Sequence, residues 1–222
     1  EHWKLVESMV LAVSRSWRQP DHSIWEIRKA PRHHVYSKVM CWVAVDRAID
    51  LSSVFLDRAP SSWHELRTTI AEDILANGWN ESRGCFTSAY GSDDVDASAL
   101  SIGLSGLLAP DDSRFVSAVA TVETELRHGP TVHRYFEDDG LPGRDGGFHL
   151  MTCWLVDSLV LLGRLDDARA LFDQLTALVG DTGLMSEEFD PESGRGLGNF
   201  PTAYSHAGLI SSAVRLSEPS LR

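Results

Sequence analysis

The sequence predicts an all-α protein. Apolar residues recur at helical spacing through most long segments. The segments between them alternate between short turns and long loops rich in Gly, Asp and Trp, and no strand-helix alternation marks a parallel sheet. The 222 residues are 43% hydrophobic and 23% charged. They suit a single domain, residues 1–222, large enough to bury a core.

From Trp3 to Trp17 the residues Trp3, Leu5, Val6, Met9, Val10 and Val13 describe an amphipathic helix that stops before Pro20. Residues 19–37 hold prolines, charges and three histidines without periodicity and read as a loop carrying Trp25 and Glu26. Ser37 is placed to cap a second helix over residues 38–56, whose apolar face includes Val39, Trp42, Val45 and Ile49. Ser62-Trp63-His64-Glu65 has the spacing of a capping box and introduces a third helix to Asn77, ended by Gly78. Residues 79–96 form a loop with a bent strand around Cys85 and Phe86, and Ala97 opens a short helix to Leu108. Pro110-Asp111-Asp112-Ser113 starts another that runs to Arg127. Residues 129–147 are a Gly and Asp loop. Helices over 148–162 and 165–179 form a hairpin through Gly163-Arg164, residues 180–201 form the last long loop, and 202–216 the last helix. Loops 19–37, 79–96, 129–147 and 180–201 are expected to gather around one opening.

A formal net charge of −12 excludes nucleic acid as the main partner, because phosphate contacts need clustered Lys and Arg. A neutral or cationic small molecule fits better. No apolar run reaches the ~18 residues of a membrane span and the start lacks a signal-peptide pattern, so no membrane partner is expected. The odd cysteine count, Cys41, Cys85 and Cys153, reads as reduced thiols in a reducing, cytoplasmic compartment. There is no His-Glu-x-x-His and no Cys-x-x-Cys, the glycines of Gly194-Arg195-Gly196-Leu197-Gly198 miss the dinucleotide spacing, and Gly103-Leu104-Ser105-Gly106 is not a nucleophile elbow. No metal and no cofactor are expected.

Two loops carry candidate chemistry. One holds Trp25-Glu26; the other runs from Gly183 through Ser186-Glu187-Glu188-Phe189-Asp190 to Gly198-Asn199-Phe200-Pro201 and Ser205-His206. Cleaving a glycosidic bond takes two carboxyls, one to protonate the leaving oxygen and one to activate water or attack the sugar. Trp25 offers a stacking surface beside Glu26. Taken alone, both acidic pairs also fit ordinary surface residues, and Arg28 and Lys38 read as solvated charges near Glu26. Asp96 suits an N-cap or a sugar-hydroxyl contact equally. A non-catalytic helical module that binds carbohydrate or a protein partner is the alternative.

Ser23-Ile24-Trp25-Glu26-Ile27-Arg28, Ser37-Lys38-Val39-Met40-Cys41-Trp42, Ser88-Ala89-Tyr90-Gly91, Arg134-Tyr135, Gly140-Leu141-Pro142-Gly143 and Ser186-Glu187-Glu188-Phe189-Asp190 with Gly198-Asn199-Phe200-Pro201 occur in an order that resembles the bacterial branch of the glucoamylase-like family 15 of glycoside hydrolases. The resemblance implies an (α/α)6 barrel and inverting, exo-acting hydrolysis of α-glucosidic bonds in trehalose or short α-glucans, without metal in the reaction. It implies Glu26 as general acid and Glu187 as general base through water, with Trp25, Arg28 and Asp96 lining a glucose pocket. Inversion asks for carboxyls ~6.5–9.5 Å apart. Two features depart from the pattern: the early Arg-Asp loop of such barrels is missing, and Ile27 follows the general acid where fungal relatives carry a second acid. The chain is therefore expected to be the later part of a barrel, incomplete on its N-terminal side.

Overall fold

The computed structural model describes residues 2–56, 58–140, 143 and 145–218. Its contacts divide the chain into two compact units, Glu1–Asp93 and Asp94–Arg222. Eight α-helices occur among the described residues, in keeping with the expected helical class.

The first unit contains α1 (His2–Ser16), α2 (Val35–Phe55), α3 (Ser61–Asn77) and a hairpin of β1 (Trp79–Asn80) and β2 (Cys85–Phe86). Val39, Val45, Ile70 and Ile74 are fully buried where α2 meets α3. Buried Asp46 on α2 ties the pair by accepting from Arg67 of α3 at 3.0 Å. At the far end Trp3 stacks on Phe55 with ring centroids 5.3 Å apart.

Three details of this unit differ from the expectations. Helix α2 begins three residues earlier, with His34 as N-cap. Ser37 lies inside the helix, and its hydroxyl donates to Asp21 Oδ1 at 2.6 Å. The Ser62-x-x-Glu65 capping box does not form: α3 starts after Pro60 without a side-chain cap, because Pro60 fixes the entry dihedral one residue upstream. Lys38 is not solvated but 2% exposed. Its Nζ donates to the carbonyls of Trp17 and Gln19 at 2.6 and 2.7 Å. Those carbonyls lie just past the last turn of α1, so the ammonium closes that helix end. Burial pulls the Lys38 pKa down, opposed by Asp21.

The second unit is built on α6 (His149–Leu161), buried nearly all round. Helices α4 (Ser101–Leu104), α5 (Ser113–Glu125), α7 (Leu165–Thr176) and α8 (Ala203–Ser217) pack against it. Asp96 forms the N-cap that the sequence suggested, accepting from the Ser98 N–H at 2.7 Å and opening a 3-10 turn over Ala97–Leu100 that runs into α4; Asp112 also caps, accepting from the Arg114 N–H at 2.9 Å at the start of α5. Gly163 at φ +74° lets α6 end in a Schellman turn, with Arg164 N–H on Leu159 O and Gly163 N–H on Val160 O. Gly208 brings α8 close to α6, since a Cβ there would lie 3.0 Å from Cys153 Sγ. Ser212 then donates to buried Asp157 at 2.7 Å.

The long loops also contain strands that the sequence did not announce. β3 (Arg127–His128), β4 (Thr131–Val132), β5 (Gly147–Phe148), β6 (Glu188–Asp190) and β7 (Arg195–Leu197) form one antiparallel sheet in that order. The register sets Phe148 opposite Glu188, and Glu188 opposite Leu197. Leu141 and Pro142 of the Gly140–Gly143 motif lie outside the described residues. Among the described residues no helix is long and apolar enough to cross a membrane.

Candidate active site

In the first unit, Trp25, Glu26 and Arg28 share one turn. Asp21 organises it, accepting from the Ser23 N–H at 2.7 Å and from Ser37 Oγ. An isolated bridge between Asp21 and Arg32 closes the base of the loop. Ser23 and Glu26 have φ of +64° and +52° and are the non-glycine residues with positive φ among those described. Ile27, between the site candidates, is buried, and its N–H reaches the His22 carbonyl at 2.9 Å. The left-handed turn at Glu26 therefore reverses the chain so that Ile27 anchors it, while Glu26 and Arg28 stay exposed and Trp25 is half-buried. Such dihedrals cost about 1–3 kcal/mol each and persist where surrounding structure over-determines them, often at functional sites.

In the second unit, Glu187 precedes β6 and is fixed from both sides. Its N–H donates to the Asn199 carbonyl at 2.9 Å, and its own carbonyl accepts from the His149 N–H at 3.2 Å. The Asn199 N–H and Nδ2 donate to Glu187 Oε2 at 3.0 and 2.9 Å, whereas Oε1 takes neither. Gly198, at φ +71°, makes room for this: a Cβ would stand 2.7 Å from Oε2. The strand is held from behind by Ser205 Oγ donating to the Ser186 carbonyl and by the Met185 N–H donating to His206 Nε2. The segment 183–190, the Gly198-Asn199 pair and Ser205-His206 are thus brought into one assembly.

Glu188, the next residue, is 9% exposed and turns the opposite way, as strand alternation requires. Its Oε2 accepts from the Gly146 N–H at 2.8 Å. Burial pushes its pKa up to about 7, with the Asp145 and Glu187 charges adding and the Gly146 and Arg134 interactions opposing. Arg134 pairs with Asp145, and its guanidinium lies over the rings of Phe148 and Tyr135 at 4.8 and 5.1 Å from the centroids. Asp96, 2% exposed, is bridged to Tyr135, and the neighbouring Ala97 N–H reaches the Arg134 carbonyl at 2.8 Å. Its N-cap role is formed.

Residues 1–214 match the model of the glycosyl hydrolases family 15. The chain belongs to this family. Within it, the chain is 39% identical to the trehalase of Thermoplasma acidophilum over 222 residues, covering 99% of this chain and 38% of that protein. It is also 39% identical to the trehalase of Mycobacterium tuberculosis over 218 residues, covering 96% of this chain and 32% of that protein. The chain thus spans about a third of the length of the curated relatives it matches. A bacterial glucoamylase solved with acarbose superimposes at a TM-score of 0.78 with 12% identity, over 98% of this chain and 39% of that one. This likeness gives the fold and bears out the six-hairpin helical class of the family 15 expectation.

Three features of the second unit are not marked by sequence spacing. The sequence motif gives Asn199 no role of its own, whereas in the structure its N–H and Nδ2 both hold Glu187 Oε2. Nothing in the sequence marks which of the adjacent Glu187 and Glu188 is the more buried. A cavity of about 700 Å³, lined by His128, His133, Phe136 and several carboxylates, joins residues far apart in sequence. None of Trp25, Glu26, Arg28, Asp96 or Glu187 lines it. Among the described residues no group of three or more His, Cys, Asp or Glu is disposed to hold a metal ion.

Proposed function

We propose that this chain is the later part of the catalytic domain of an inverting α-glucoside hydrolase, with trehalose as substrate. Glu26 is the general acid that protonates the leaving oxygen, and Glu187 is the general base that takes a proton from the attacking water. Trp25, Arg28 and Asp96 line the glucose pocket. The observation that carries this reading is the clamp on Glu187. Two Asn199 donors fix Oε2 and neither uses Oε1, so one oxygen of a positioned carboxylate remains to orient a water. The relatives named trehalase support trehalose over longer glucans.

Glucose release from trehalose, followed by NMR, tests both parts. Inversion yields one β-glucose and one α-glucose per bond cleaved, because only the attacked anomeric carbon changes configuration. Release of α-glucose alone overturns inversion. Glu26→Gln and Glu187→Gln are each expected to lower turnover by ~10²–10⁴ with unchanged melting, and near-normal turnover in either overturns its role.

A further inference from the structure

The cavity of the second unit has a composition that the proposed hydrolysis does not use. At about 700 Å³ it lies in the ~300–1,000 Å³ range of small-molecule sites. One wall is a cluster of rings: His133 lies 4.9 Å from both His128 and Phe136, and His128 lies 5.5 Å from Phe136. The rest is acidic, with Asp138, Asp139 and Asp190 among its carboxylates. His133 is 8% exposed, and its buried Nε2 has no hydrogen-bond partner among the described residues. Leaving such a group unsatisfied costs about 1–3 kcal/mol. Burial, helped by the neighbouring His128 and opposed by Asp145 and Asp190, holds the His133 pKa down.

We propose that this cavity binds a small organic molecule carrying a primary ammonium group, either an amino sugar or an aliphatic diamine. The carboxylates attract the ammonium and accept charge-assisted hydrogen bonds from it. Phe136, 59% exposed, offers its face to the cation. The Nε2 of His133 hydrogen-bonds the polar body of the ligand. A phosphate or carboxylate ligand meets net repulsion, and the ligand is not a bare metal ion, since no ligating cluster occurs among the described residues.

Calorimetric titration of the 222-residue chain with glucosamine, putrescine, N-acetylglucosamine, glucose and Mg²⁺ tests the proposal. One of the two amines is expected to bind at least about tenfold more tightly than glucose or N-acetylglucosamine, a difference equivalent to about 1.4 kcal/mol. Preference for glucosamine assigns an amino sugar, and preference for putrescine assigns a diamine. Phe136→Ala and the double variant Asp138→Asn/Asp190→Asn should each weaken the amine about five- to tenfold without changing the melting curve, while Glu187→Gln should leave it unchanged. Equal binding of glucose and glucosamine, saturable binding of Mg²⁺ in preference to either amine, unchanged affinity in the cavity variants, or no amine binding overturns it.

Discussion

Asn199 and Glu187 are joined by three hydrogen bonds: the Glu187 N–H to the Asn199 carbonyl at 2.9 Å, and the Asn199 N–H and Nδ2 to Glu187 Oε2 at 3.0 and 2.9 Å. The carboxylate itself takes one main-chain and one side-chain donor, and the third bond ties the two backbones together. Asn199→Ala removes one donor and leaves the strand contacts in place. Turnover on trehalose is expected to fall about 10- to 100-fold with the KM little changed, as steady-state kinetics would report.

Gly198→Ala attacks the same clamp by volume. The added methyl would lie 2.7 Å from Oε2 at a φ of +71°, so both dihedral strain and a clash oppose it. The expected outcome is a loss of turnover larger than that of Asn199→Ala, together with a lowered Tm by calorimetry.

Glu188 makes stability pH-dependent. Its folded-state pKa of about 7 lies above the ordinary 4.5, so the folded state holds the proton more tightly than the unfolded chain. The folded state therefore loses stability as pH rises from about 4.5 through 7, on the order of 1–3 kcal/mol. Glu188→Gln keeps the size and removes the charge. Relative to the parent, its Tm should be similar at pH 5 and higher at pH 8. A pH-independent difference between the two proteins would contradict this account.

Lys38→Met tests the buried ammonium of the first unit. The substitution keeps the apolar stem but orphans the Trp17 and Gln19 carbonyls. A loss of about 2–3 kcal/mol is expected in denaturant unfolding.

Gly103→Ala tests the packing of α4 on α5. A Cβ at Gly103 would sit 2.2 Å from a ring carbon of Phe115, which is fully buried. Overpacking of about 1–3 kcal/mol should appear as a lower denaturation midpoint.

The helices were legible because each carries several turns of apolar periodicity: α7 buries Ala168, Leu171 and Leu175 at helical spacing. The sheet was not, since its strands are two or three residues long and no alternation can establish itself over so few positions. Capping failed at Ser37 and Ser62 because Val35 and Pro60 offered earlier starts, whereas Asp96 and Asp112 cap as their chemistry suggests. At the site, the motif order grouped residues 183–190 with 198–199 and 205–206, and the hydrogen bonds of Glu187, Ser205 and His206 show that grouping in space. The burial of Glu188 and the ring cluster at His133 depend on sheet register and loop return, which sequence spacing does not encode.

Glu187, just before β6, and Glu188, its first residue, face opposite ways, so a shift of frame changes which side chain meets the clamp. Deleting a single residue between Met185 and Glu187 while keeping the β6–β7 ladder would carry Glu188 to the Asn199 clamp and leave Phe189 facing Gly146 and Arg134. Adding one residue there would bury Glu187 and expose Ser186 to the clamp. The spacing from Met185, anchored by Thr202 and His206, is therefore as much a determinant of chemistry as the identity of the acid, and insertions in this segment should be far less tolerated than substitutions.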